Sequence, residues 1–108
     1  MQILGRQTGG PGVPLELGPV DTDHMRKQHA EQMLEVIKDV DFFNLPADLG
    51  GGIPYPAVIN SSVRVTDGER DHTVGWSGEG DSPAVAELSR LLQLVQDSGV
   101  EWHVAEQV

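Results

Sequence analysis

Residues 59–76 read INSSVRVTDGERDHTVGW, and the dipeptide Asp67-Gly68 at their centre is the strongest hairpin signal in the chain. A two-residue primed turn needs positive φ angles, which glycine adopts without steric cost. Pairing outward from this turn gives four cross-strand pairs on one face: Val65 with Arg70, Val63 with His72, Ser61 with Val74, and Ile59 with Trp76. The opposite face is polar and would place Arg64 opposite Asp71. The stretch therefore predicts an antiparallel hairpin with one buried and one solvated face.

An amphipathic helix is predicted after this hairpin. Ser82 is its N-cap, and Pro83 takes the first helical position, where a missing N–H costs nothing. Five apolar residues at three- and four-residue spacing form the predicted buried stripe: Val85, Leu88, Leu91, Leu92 and Val95. Ser98-Gly99 is a typical helix end.

The first half of the chain has the same order of elements. Residues 2–7 and 13–17 predict two short strands. Asp21, Thr22 and Asp23 are N-cap candidates for a helix that should end near residues 39–41. The helix carries one apolar stripe, formed by Ala30, Met33, Leu34, Ile37 and Val40. Phe42-Phe43 follow, and we expect at least one of the two rings to pack in the core, with Pro46 enforcing the helix end.

Together these elements predict an α+β fold with the order ββαββα. Two hairpins form a four-stranded, mainly antiparallel sheet, and both helices cover one of its faces. We expect residues 1–99 to form a single domain and the loop at residues 47–56 to lie on its surface. Residues 100–108 form a C-terminal tail that adds a short strand, covers part of the core or frays.

Charge and composition narrow the classes of partner. The chain has 108 residues, with 17 acidic and 7 basic side chains and a formal charge of −10. Nucleic acids and anionic membranes are poor partners for such a chain, since both are bound through clusters of Lys and Arg. There is no cysteine, no apolar run approaching the roughly 20 residues of a membrane span, and no secretory signal pattern. These features favour a cytoplasmic protein, with export of a processed form left open.

Catalytic motifs are missing from the sequence. It contains no His-Glu-x-x-His, no Gly-x-Ser-x-Gly and no phosphate-binding glycine loop. His24 beside Asp21 and Asp23 is a weak metal candidate, although an acidic helix start explains these carboxylates equally well. His72 falls on the predicted core face as a packed or rim histidine. We therefore expect a protein that is not an enzyme and needs no cofactor or metal.

The glycine-rich stretch Thr8-Gly9-Gly10-Pro11-Gly12 joins the first two predicted strands. Glycine allows backbone angles closed to other residues, and Pro11 stiffens the loop at one point. The stretch has no ionisable side chain, so it suits close contact with another surface better than chemistry.

The order of these motifs resembles that of emfourin-like proteins, a family of small inhibitors of protealysin and other thermolysin-like zinc metalloproteases. Four features carry the resemblance over about residues 1–94: Thr8-Gly9-Gly10 after a short strand, Phe42-Phe43-Asn44-Leu45-Pro46 closing an acidic helix, Val63-x-Val65-x-Asp67-Gly68 followed by His72-Thr73-Val74, and Ser82-Pro83 opening the last helix. The resemblance implies that the partner is a thermolysin-like metalloprotease whose active-site cleft is entered or occluded.

On that resemblance, two loops are the expected protease contacts. The expected contact residues are Gly9, Gly10, Pro11, Gly12 and Val13, with help from Ile53, Pro54, Tyr55 and Pro56. The alternative is a small acidic scaffold or adaptor protein that has no protease target and in which the glycine stretch is only a turn.

Overall fold

The computed structural model describes residues 1–8, 14–49, 60–77 and 82–104. Five strands form one sheet: β1 (Gln2–Thr8), β2 (Leu15–Asp21), β3 (Asn60–Asp67), β4 (Arg70–Ser77) and β5 (His103–Val104). Their spatial order is β4-β3-β1-β2-β5, and every neighbouring pair is antiparallel. Two helices complete the fold: α1 (Lys27–Asp39) and α2 (Pro83–Asp97).

The predicted α+β class is confirmed, but the four-stranded sheet and the order ββαββα are wrong in detail. His103 and Val104 pair with Glu16 and Leu15 and add a fifth strand, so the order is ββαββαβ. Residues 103–104 form a short strand, which was one expectation for the tail. Trp102 packs against the core, which was another.

The β3–β4 turn lies one residue further along the chain than predicted. Asp67 pairs with Arg70, so the turn residues are Gly68 and Glu69. Only Gly68 of these two has a positive φ, 61°, which is the requirement of a type II′ turn. The predicted pairing was therefore wrong by two residues, and Val63 faces Val74 instead of His72. A shift of two preserves the faces, because side chains alternate with a period of two.

The core lies between the two helices and one face of the sheet. From the sheet it takes Ile3, Leu17, Val20, Val63, Val65, Val74 and Trp76. The five predicted α2 residues are all buried. In α1 the buried residues are Ala30, Met33, Val36 and Ile37. Leu34 was predicted to be buried but is 38% exposed, because successive helical residues turn by about 100° and Leu34 points away from the side that Met33 occupies.

The start of α1 was also predicted wrongly. β2 runs on to Asp21, and residues 22–24 form a short 3₁₀ helix whose N-cap is the Asp21 carboxylate, accepting from the backbone N–H of Asp23 at 2.9 Å. The helix α1 begins only at Lys27, after an Arg26 that makes no side-chain cap. Its end at Asp39 agrees with the prediction.

Phe42 and Phe43 divide between core and surface, as expected for an aromatic pair at a helix end. Phe42 is fully buried, whereas Phe43 is half-buried and has the guanidinium of Arg70 4.2 Å above its ring. His72 packs edge-on against Phe42, and its Nε2 lies 2.7 Å from the carbonyl oxygen of Leu45. His72 is thus a packed and hydrogen-bonded rim histidine, as predicted. Among the described helices, none combines the length and apolar character that a membrane crossing needs.

Candidate protein-binding surface

Both predicted contact segments lie outside the described residues. These segments are Gly9, Gly10, Pro11, Gly12 and Val13, and Ile53, Pro54, Tyr55 and Pro56. The residues that flank them are described, and their positions show where each segment is attached to the sheet.

The attachment points share one end of the sheet. Thr8 ends β1, Asn60 begins β3 and Ser77 ends β4. Thr8 is the cross-strand partner of Asn60, and Asn60 is the partner of Ser77. The Ser77 hydroxyl donates to Oδ1 of Asn60 at 2.6 Å, which ties β3 and β4 together at this end. Residues 9–13, 50–59 and 78–81 therefore connect to neighbouring residues of a single row.

Polar side chains cover the open face of the sheet, the face opposite the two helices. The strand register places one row of residues across this face: Asp48, Gly75, Ser62, Arg6, Glu16 and His103. Arg6 is thus the cross-strand neighbour of Ser62 on one side and of Glu16 on the other. No sequence motif pointed to this row, because it crosses strands that are distant along the chain.

A groove of about 380 Å³ lies at this end of the sheet. The described residues that line it are Arg6, Thr8, Ala47, Asp48, Asn60, Ser61, Ser62, Gly75, Trp76 and Ser77. We call it the sheet-end groove. Its outer wall is residues 47–49, which add to the β4 edge: the Gly75 N–H donates to the Ala47 carbonyl at 2.8 Å, and the Leu49 N–H donates to the Gly75 carbonyl at 2.9 Å. The predicted surface position of this loop is confirmed for Ala47 and Asp48, which are exposed, whereas Leu49 is half-buried and packs against the core.

A second groove of about 360 Å³ continues along the open face. Arg64 and Asp71 line it and form a two-point ion pair, with Nε to Oδ1 at 2.9 Å and Nη2 to Oδ2 at 2.6 Å. The two side chains form the predicted favourable contact, but the predicted position of Arg64 opposite Asp71 is wrong, because Arg64 faces Thr73 and Asp71 faces Thr66. The hydrogen bonds from Arg64 hold the pKa of the Asp71 carboxyl below its usual range, and the same contact raises the pKa of Arg64.

Arg6 borders both grooves. Its side chain is exposed and forms no ion pair with any residue in the described ranges. The sequence pattern places Arg6 in a strand, but its position between the two grooves depends on the pairing of β1 with β3. This pairing joins the two halves of the chain and has no turn signal to predict it.

Within residues 1–8, 14–49, 60–77 and 82–104, no three His, Asp or Glu side chains are grouped closely enough to hold a metal ion. Asp21, one member of the weak metal candidate, instead accepts the backbone N–H of Asp23, which lowers the pKa of its carboxyl.

Comparison of the chain with family models, with curated proteins and with solved structures found no match.

Proposed function

We propose that this protein inhibits a thermolysin-like zinc metalloprotease by placing one end of its sheet over the active-site cleft. The observation that carries the proposal is the row of Thr8, Asn60 and Ser77. Both loops expected to contact the protease leave the sheet from this row. The motif order that resembles emfourin-like inhibitors gives the class of target.

Anchoring at the sheet end suits an inhibitor on physical grounds. A protein that blocks a protease must fill its cleft and lose little conformational freedom when it binds. Residues 9–13 join strands β1 and β2, which pair over Gln2–Gln7 and Leu15–Asp21. The strands on both sides of this loop are therefore held in place before binding. The second loop ends at Asn60, which is held between Thr8 and Ser77.

The test is a titration of the purified protein against a panel of thermolysin-like proteases, with cleavage of a small peptide substrate as the measurement. We expect loss of activity as the inhibitor concentration approaches that of a susceptible protease. Val13→Asp should weaken inhibition, because it adds a charge to a loop that should meet an apolar subsite. Ser89→Asp is the matched control, since it adds the same charge on the exposed surface of α2.

Unchanged cleavage by every protease at large molar excess would refute the proposal. Binding to a protease without any loss of its activity would refute it as well, whereas no binding to any protease would favour the acidic adaptor.

A further inference from the structure

We propose that the sheet-end groove binds a carboxylate side chain of the target protease through the guanidinium of Arg6. This inference rests on the proposed function and adds the chemistry of one contact. It concerns described residues only and is independent of the conformation of the two loops.

Arg6 differs from the other described arginines of the sheet. Arg64 is paired with Asp71 at 2.6 Å, and Arg70 is paired with Asp67 at 2.5 Å. Arg6 has no such partner among the described residues, although Glu16 is its cross-strand neighbour. The chain has 17 acidic and 7 basic side chains, yet none of the described carboxylates pairs with Arg6. The Arg6 guanidinium is therefore available to a carboxylate of another protein.

The groove around Arg6 has room for a segment of the partner. On one side the row continues through Ser62 and Gly75, two residues too small to fill the space, to Asp48 at the edge. Neighbouring strands lie about 4.8 Å apart, so Arg6 and Gly75 are separated by about 10 Å across the face. That width accepts one polypeptide segment of the partner. It also keeps Asp48 a further strand away from the carboxylate that Arg6 would bind.

The groove also offers hydrogen bonds to a bound segment. Thr8, Ser62 and Ser77 line the groove with hydroxyl groups that donate or accept, so a peptide segment lying there can satisfy its polar atoms. Arginine presents a planar fork that matches a carboxylate at two points, which a lysine ammonium cannot do. The site is therefore selective for a carboxylate approached along the open face.

The charge of the whole molecule makes this contact a determinant of specificity. A formal charge of −10 repels an acidic partner at long range. A local cation beside the loops then favours only the orientation that brings a carboxylate to Arg6. Removing that cation should weaken the complex chiefly by faster dissociation.

The experiment compares inhibition constants of the wild type, Arg6→Gln, Arg6→Lys and Arg90→Gln against a protease that the wild type inhibits. Arg90→Gln is the matched control: it removes the same charge from the exposed surface of α2, on the helix side of the sheet. A hydrogen bond to a charged group contributes about 1.5–3 kcal/mol, so we expect Arg6→Gln to raise the inhibition constant about 10- to 100-fold. Arg6→Lys should recover part of the loss, and Arg90→Gln should stay within about twofold of the wild type.

Each result has one meaning. Equal inhibition by the wild type and Arg6→Gln overturns the Arg6 contact and leaves the proposed function standing. Equal weakening by Arg6→Gln and Arg90→Gln also overturns it, because net charge would then explain the effect. A wild type that inhibits no protease overturns the proposed function and this contact together. Thermal unfolding of each variant tests whether the fold is retained. If Arg6→Gln is destabilised, Arg6→Lys takes its place in the comparison, and a several-fold weaker inhibition by Arg6→Lys supports the Arg6 contact.

Discussion

Replacing Gly5 with alanine should destabilise the protein by overfilling the space between β1 and α2. A methyl group on Gly5 would lie 2.5 Å from Cδ2 of Leu92 and 3.3 Å from Cβ of Leu17. Since nonbonded carbons prefer about 3.5–4.0 Å, the Leu92 methyl would have to move by roughly 1 Å. Leu92 is only 6% exposed and has little free space in which to move.

The magnitude follows from two opposing effects. Overfilling a packed core costs about 1–3 kcal/mol, while replacing glycine reduces the freedom of the unfolded chain and returns about 0.4–1 kcal/mol. We therefore expect Gly5→Ala to lower the free energy of unfolding by about 1–2 kcal/mol, which lowers Tm by about 5–15 °C in a domain of this size. Urea unfolding followed by circular dichroism measures this change.

The matched control is Gly75→Ala, also a glycine in a strand. Its added methyl would meet the nearest atom, the Ser61 carbonyl oxygen, at an ordinary 3.4 Å. We expect stability unchanged or raised by up to about 1 kcal/mol there. In a Leu92→Ala background, the cost of Gly5→Ala should disappear, because the obstructing methyl is gone. An equal cost of Gly5→Ala in both backgrounds would refute the overfilling argument.

Three further predictions concern single contacts. Ser82→Ala should lower stability by about 1 kcal/mol in urea unfolding, because the hydroxyl caps α2, whereas Ser82→Asp should retain the cap. Phe42→Leu should cost more than Phe43→Leu in the same assay, since only the first ring is fully buried; equal losses would contradict that division. Hydrogen bonding to Arg64 lowers the pKa of the Asp71 carboxyl. The pair therefore stabilises the fold at pH values above the ordinary carboxyl pKa, and this stabilisation is lost as the pH falls through the lowered pKa. NMR titration of the Asp71 carboxyl should show its pKa returning toward the usual range in Arg64→Gln, and an unchanged pKa would exclude the pair as its cause.

Features encoded locally were predictable from the sequence. The helix α2 follows from its cap, its first-turn proline and its five-residue apolar stripe, all of which lie within 17 residues of one another. The two faces of the β3–β4 hairpin also follow, because alternation survives a pairing error of two residues. The pairing differs from the prediction because Asp67 still pairs with Arg70, which moves the turn from Asp67-Gly68 to Gly68-Glu69.

Features that depend on distant pairing were not predictable. The strand β5 has two residues, both exposed, and shows no alternation by which to recognise it. The late start of α1 follows from a β2 strand that continues through Gly18-Pro19 past an irregularity in its pairing with β1. The sheet-end groove forms because Arg6 lies beside Ser62. These two residues are neighbours only because β1 pairs with β3, which is more than 50 residues further along the chain. A single sequence carries no signal for such a pairing.

The described edges of the sheet indicate how a partner can approach. On β4, the backbone of Gly75 is already paired with residues 47–49, and Asp71 places a charge near the other end of the strand. On the opposite side, β5 pairs with the first two residues of β2, and Pro19 further along has no N–H to donate. Charges, proline and covering segments are the devices by which proteins prevent strand addition at an edge. A partner is therefore expected to bind the open face and the sheet end, where Arg6, Ser62 and the attachment points of both loops lie together.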